Sequence, residues 1–195
     1  MGTYEEKNRK TKRLIQASFL NLLARKPFEA ITVGDIAKEA HLNRGTFYLH
    51  YMDKFDLLEQ IEQQLFEDLG KQIDELRARY SATPMFGPGQ AELAAALFRS
   101  IQKHVPVLKV LLGDHGRSGF HYRLRDALAA KVRANLLGQE HGRGNAEVPP
   151  EYLASFITSA FLGLIEQWVR DDLDKTPEEM AALYMAIIAF IRNEP

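Results

Sequence analysis

Residues 32–54 read Thr-Val-Gly-Asp-Ile-Ala-Lys-Glu-Ala-His-Leu-Asn-Arg-Gly-Thr-Phe-Tyr-Leu-His-Tyr-Met-Asp-Lys. Their capping residues divide the stretch into two short helices and the start of a third. Thr32 is an N-cap, with Asp35 three residues on as its capping-box partner. Ile36, Ala37 and Ala40 form the apolar face of the helix that follows. His41-Leu42 makes a turn. Asn43 caps the next helix, which is expected to run to about His50, and Asp53 caps a long one. The leading turn of the second helix, Asn43 to Thr46, is polar and small, with aromatic residues behind it. A helix of that build can push its N-terminus into a DNA groove.

On the N-terminal side, Ile15, Phe19, Leu22 and Leu23 fall at i, i+4, i+7 and i+8. That spacing predicts an amphipathic helix from about Lys10 to Ala24, ended by Pro27. On the C-terminal side, Leu58, Ile61, Leu65, Leu69, Ile73 and Leu76 form one seam along a helix of roughly 26 residues, ~40 Å long. Residues 80–90 are a loop by composition. A helix from Ala91 stops near His104, because Pro106 disfavours helical geometry at the residue before it. Pro106 to Leu112 is a short apolar helix, followed by a Gly113-Asp114-His115-Gly116 turn. Helices are expected over Phe120 to Leu137 and Glu151 to Asp172, with a Gly-rich loop over Gly138 to Pro150 between them. Thr176-Pro177-Glu178-Glu179 opens a last helix that packs Met180, Leu183, Tyr184, Ile187 and Ile191. No strand pattern or repeat appears, so the fold class is all-α.

The chain has 195 residues, 46% of them hydrophobic, which is ample for a packed core. It has no cysteine, which excludes disulfides and thiolate chemistry. The charged N-terminus lacks the apolar region of a signal peptide. The most apolar stretch, Tyr152 to Val169, is interrupted by Glu166 and Gln167 and does not read as a membrane span. A cytoplasmic location without membrane contact is expected. The net charge of −1 hides an asymmetry. Residues 1–55 carry ten Lys/Arg and six Asp/Glu, against fifteen and twenty in residues 56–195. A basic head on an acidic body points to a DNA-binding end.

In a helix-turn-helix the second helix lies in the major groove and its first residues meet base edges. Arg44 can bond guanine O6/N7, and the Thr46 methyl can meet a thymine methyl. Asn43 stands beside them, and Gly45 permits close approach. Tyr48, His50 and Lys54 are spaced to reach phosphates and hold register, with Lys54 at the positive end of the long helix. Phe47 and Tyr51 read as core. Tyr48 as packing, and Lys7, Arg9, Lys10, Lys12 and Arg13 as a solvated arm, remain open alternatives to DNA contact.

Residues 10–55 resemble the DNA-binding domain of TetR/AcrR-type bacterial transcription regulators. The matching pieces are Ile31-Thr32-Val33, Asp35-Ile36-Ala37, Ala40, Asn43 to Tyr48 and Tyr51-Met52-Asp53-Lys54. The resemblance implies a helix-turn-helix domain over residues 1–55 and a helical effector-binding and dimerisation domain over 56–195. It also implies that Thr32, Asn43, Arg44, Gly45, Thr46, Tyr48, His50 and Lys54 face DNA. Two positions depart from the family. His41 stands where Gly is common, and His50 stands where Tyr is frequent. If the turn needs positive φ, His is among the more tolerant non-Gly residues.

The body is less legible. Ser155, Ser159 and Gly163 make a small-residue stripe that packs either inside the subunit or, with Tyr184 and Ile187 of the last helix, across a homodimer. Phe98, Phe120, Tyr122, Phe161 and Trp168 are candidates to line a pocket for an unknown small-molecule effector, or are ordinary core. His104, His115 and His121 match no i, i+4 ligand pair, and no Ser/His/Asp arrangement, HExxH or phosphate loop occurs. Neither a metal, a cofactor nor an enzymatic activity is expected. The leading expectation is a ligand-responsive, homodimeric repressor on a palindromic double-stranded DNA operator. Its rivals are a (co)activator of the same fold, a nucleoid-type packing protein, and a helical binding protein or enzyme with a vestigial head.

Overall fold

The computed structural model describes residues 3–80, 89–113, 115, 119–137 and 149–191. Among these the chain is helical throughout, with no strand. The helices are α1 (Thr3–Leu23), a 3-10 turn (Phe28–Ala30), α2 (Val33–Glu39), α3 (Arg44–Tyr48), α4 (Lys54–Arg79), α5 (Gln90–Gln102), α6 (Val105–Leu111), α7 (Phe120–Leu137), α8 (Pro150–Arg170) and α9 (Pro177–Ile191). The all-α class holds. The loops expected over 80–90 and 138–150, and most of the turn at 113–116, lie outside the described residues. α1 begins at Thr3 rather than near Lys10. Its early residues show no apolar period, but Glu, Lys and Arg are good helix formers and extend a helix nucleated elsewhere. α3 stops at Tyr48, before His50.

The chain divides into two compact units. The first comprises Met1–Leu65 and Val107–Phe120, the second Phe66–Pro106 and His121–Pro195. In the first, Ile15, Phe19 and Leu23 of α1 are buried together with Ile36, Ala37, Phe47, Leu57 and Leu58. Phe28 plugs this core from the 3-10 turn, edge-on to Phe19 with ring centroids 6.3 Å apart. Its backbone N–H donates to the His115 carbonyl at 3.2 Å. In the second unit α5 lies along α9. Arg99 of α5 donates to Glu92 and to Glu178 of α9, both at 2.6 Å.

Helix ends follow the expected capping chemistry. Thr32 and Asp35 form the reciprocal capping box, with Thr32 N to Asp35 Oδ2 at 2.9 Å and Asp35 N to Thr32 Oγ1 at 3.1 Å. Thr176 and Glu179 do the same at α9. α2 ends in a Schellman motif, with His41 N–H donating to Lys38 O and Leu42 N–H to Ala37 O. That motif puts His41 at φ 53°, the positive φ that the missing glycine foretells. A non-Gly residue there carries strain of about 1 kcal/mol or more, partly offset by the greater freedom glycine has when unfolded. His41→Gly should therefore stabilise the fold by about 0.5–1 kcal/mol, seen as a higher urea midpoint. An unchanged or lower midpoint would contradict this.

α8 has the length and hydropathy of a membrane span. Its inner face, however, is a packed core face, with Ala154, Thr158, Leu162, Ile165 and Trp168 buried in the second unit.

Candidate nucleic-acid interface

α3 presents its leading turn to solvent with one side chain locked and another free. Asn43 accepts at Oδ1 from the Thr46 N–H (2.7 Å) and from the Thr46 hydroxyl (3.0 Å). The two residues fix each other's rotamers, which leaves the Asn43 amide N–H groups and the Thr46 methyl to face outward chemistry. Gly45 has a local reason to be glycine, since a Cβ there would stand 3.2 Å from Asn43 Oδ1 and press on the cap.

Arg44 is exposed, and its guanidinium lies over Gly34 of α2. A Cβ on Gly34 would fall 2.4 Å from Arg44 Nη2, so the missing side chain makes room for the arginine. Nothing in the sequence pattern signals this role for Gly34. It emerges only when α2 and α3 fold against each other.

Tyr48 is exposed, its ring edge-on to the buried Phe47 with centroids 5.6 Å apart. The expectation that Phe47 and Tyr51 are core is met, as both are buried. His50 is half-buried, and burial, then Lys12, pushes its imidazole below the ordinary value. Both causes favour the neutral imidazole. Lys12 lies 5.8 Å from the Tyr51 ring centroid. The basic residues 7–13 belong to helix α1 rather than to a loose arm.

Two residues expected to touch DNA are engaged within the protein. The Thr32 hydroxyl donates to Asp35 Oδ2 at 2.8 Å as part of the cap. The Lys54 ammonium donates to the carbonyls of Phe28, Glu29 and Ile31 at 2.9, 3.0 and 2.8 Å. An ammonium has three protons, and here each has a carbonyl. Its charge also sits 4.6 Å from the Phe28 ring centroid. Lys54 thus ties the 3-10 turn to the start of α4. No local pattern signals this, because the three carbonyls converge only in the folded turn.

Asp35 is held at about 2, below its ordinary 3.8, first by the Lys26 ammonium 2.9 Å away and then by the Thr32 backbone N–H. A carboxylate whose pKa falls on folding adds stability above its unfolded value, and this is lost as pH drops through the folded one. The α2 cap should therefore weaken between about pH 4 and pH 2. The acid-induced loss of helicity should be shallower in Asp35→Asn. Identical acid profiles would remove Asp35 from the account.

In the body, three of the five candidate pocket aromatics meet. Phe98 packs on Phe161 (5.0 Å between centroids) and edge-on to Trp168 (5.7 Å). Trp168 Nε1 donates to the Lys175 carbonyl at 2.8 Å. The other two do not join them. Tyr122 is exposed, with Arg125 over its ring, and Phe120 is buried as part of the first unit. The histidines also separate. His104 bonds Gln72, and His121 bonds Glu166. Among the described residues no group of three or more His, Cys, Asp or Glu is placed to hold a metal.

Ser155, Ser159 and Gly163 are exposed along one side of α8, and a Cβ on Gly163 would meet nothing within 4 Å. Tyr152 and Phe156 of the same helix and Leu183, Phe190 and Ile191 of α9 are also exposed. Ile187 is half-covered. Tyr184, expected on this face, is half-covered and packs edge-on to Phe161 at 5.9 Å.

Residues 17–61 match the family described as bacterial regulatory proteins, tetR family, and residues 91–189 match the transcriptional regulator C-terminal region. The chain is similar to the uncharacterized HTH-type transcriptional regulator YxbF of Bacillus subtilis (strain 168). They are 24% identical over 180 residues, covering 92% of this chain and 44% of that protein. The chain spans less than half the length of the curated relatives it matches. Among solved structures it is similar to a putative TetR-family transcriptional regulator from Syntrophomonas wolfei, with a TM-score of 0.69, 20% identity and coverage of 92% and 93% of the two chains. It is also similar to NalD, the secondary repressor of the MexAB-OprM multidrug efflux pump in Pseudomonas aeruginosa, with a TM-score of 0.67, 19% identity and coverage of 95% and 96%. At these identities the likeness shows a shared fold.

Proposed function

Because this chain belongs to the TetR family of bacterial transcriptional regulators, we propose that it acts in the cytoplasm as a homodimeric repressor. It holds a palindromic DNA operator and releases it when a small molecule enters its helical body. The observation that carries this reading is the leading turn of α3, where Arg44, exposed and unpaired among the described residues, stands beside the rigid Asn43–Thr46 lock. That turn supplies one flexible cation for a guanine edge and one fixed methyl for a thymine. Tyr48 and His50 contribute phosphate contacts from the turn behind. Thr32 and Lys54 act by holding the frame, with any phosphate contact secondary to that.

The homodimer is supported by the uncovered face of α8 and α9. Small side chains at Ser155, Ser159 and Gly163 let a partner helix approach closely, and the exposed Tyr152, Phe156 and Phe190 would otherwise face water. Residues 1–55 serve as the reading head, and residues 56–195 as the effector and dimer body. A ligand shifts such a dimer only by its differential affinity for the DNA-holding and released forms. No enzymatic role is proposed.

A mobility-shift titration on duplex DNA from upstream of the chain's own gene tests this reading. We expect a single complex of two chains per site, its affinity falling by orders of magnitude from 50 to 200 mM salt, because each neutralised phosphate releases a counterion (a slope of about −0.9 per contact). A complex of one chain, or an affinity indifferent to salt, would contradict it.

A further inference from the structure

Among the described residues, the second unit buries two polar oxygens that lack hydrogen-bond partners. Gln90, the first residue of α5, is 6% exposed, and Thr158, on the inner face of α8, is 4% exposed. Gln90 Oε1 and Thr158 Oγ1 find no hydrogen-bond partner among the described residues. Buried polar atoms are almost always paired, and an unpaired one in a native fold calls for an explanation.

The two oxygens flank one aromatic cluster. The Tyr184 hydroxyl bonds the Gln90 amide, which still leaves Oε1 free. Tyr184 packs edge-on to Phe161, and Phe161 packs on Phe98. Thr158 lies three residues before Phe161 on α8, and therefore on the same side of the helix. Phe98 continues the cluster to Trp168. The site thus sets two unused hydrogen-bonding oxygens beside closely packed rings, which must part to admit a ligand.

Its charge is equally telling. Among the described residues the buried polar side chains are Ser18, Glu62, Gln90 and Thr158, none of them a cation. Arg99, the cation nearest along α5, is held by Glu92 and Glu178. Glu62 lies in the first unit, and the buried polar side chains of the second, Gln90 and Thr158, are uncharged. Neither of them offers a counter-ion to a carboxylate or an ammonium. A neutral hydroxyl can donate to Gln90 Oε1 and accept from, or donate to, Thr158 Oγ1.

We infer that the body of this chain binds a neutral, hydroxyl-bearing aromatic molecule, with its ring against Phe98, Phe161 and Trp168 and its hydroxyl between Gln90 and Thr158. The inference rests on the ligand-responsive reading and names the chemistry of the ligand. A hydrocarbon of the same shape leaves both oxygens unpaired and binds more weakly, since a site built to bond a hydroxyl discriminates strongly against its absence.

The chain has one tryptophan, so its single indole N–H resonance reports on the cluster. The full-length protein is titrated with p-cresol and, separately, with toluene. We expect a saturable shift with p-cresol and at least tenfold weaker binding of toluene. Gln90→Met and Thr158→Val should each weaken p-cresol at least fivefold and leave toluene within twofold. Each should also raise the melting temperature of the unliganded protein, because an unpaired buried oxygen is replaced by an apolar group of similar shape. The inference is overturned by equal affinities for the two probes, by no saturable shift with p-cresol, or by unchanged p-cresol binding in both variants. It is also overturned if both variants melt lower, which would mean that the fold already satisfies the two oxygens. No DNA is present in this titration. Its failure leaves the operator reading standing, and failure to bind DNA leaves this site standing.

Discussion

Replacing Lys54 by Met should unfold the DNA-reading unit more easily, lowering its stability by about 2–4 kcal/mol. The estimate comes from three hydrogen bonds to a charged donor, each worth ~1.5–3 kcal/mol, discounted because the group is only part-buried and water can replace some of them. A native domain has about 5–15 kcal/mol in all, so the loss would appear as a clearly lower urea midpoint. Lys54→Arg separates this account from a direct phosphate contact. A planar guanidinium cannot place three protons on three convergent carbonyls, whereas it grips phosphate at least as well as lysine. Stability should therefore fall in both variants. If Lys54→Arg were as stable as the parent and both variants differed only in DNA affinity, Lys54 would be a phosphate clamp and not a strut.

Replacing Arg44 by Ala should do the reverse. Arg44 is exposed and has no hydrogen bond or ion pair among the described residues, so the fold should melt as before. A bidentate arginine–guanine pair is worth ~1–3 kcal/mol of discrimination. Each half-site would lose roughly five- to 150-fold in preference for its guanine, while binding to unrelated DNA falls only by the loss of one cation. A fluorescence anisotropy titration against operator and scrambled duplexes measures both. Equal losses on the two duplexes would mean that Arg44 touches only the backbone.

The local grammar of this chain was legible because it is chemistry at short range. The Thr32–Asp35 and Thr176–Glu179 boxes and the positive φ at His41 all depend on neighbours a few residues apart. The buried faces of α1, α2 and α4 follow from helical period alone. The remaining features depend on distant parts of the chain. The carbonyls of Phe28, Glu29 and Ile31 come together around Lys54 only after α4 docks on the 3-10 turn. Gly34 becomes meaningful only where Arg44 crosses it. Among the aromatics, residue type could not separate Phe98, Phe161 and Trp168 from Tyr122, which sits on the solvent side of α7. Tyr184 sits on an apolar helix, and its contacts with Phe161 and Gln90 depend on helices far apart in sequence.

Selecting bound duplexes from a random pool measures whether the turn from Asn43 to Thr46 reads sequence in two symmetric copies. The parent protein should enrich an inverted repeat, its half-sites about one helical turn or a multiple of it apart, with an invariant guanine in each. Selection with Arg44→Ala should return the same spacing with that guanine relaxed. A pool that enriches no repeat, or one whose motif is untouched by the Arg44 change, would contradict the claim.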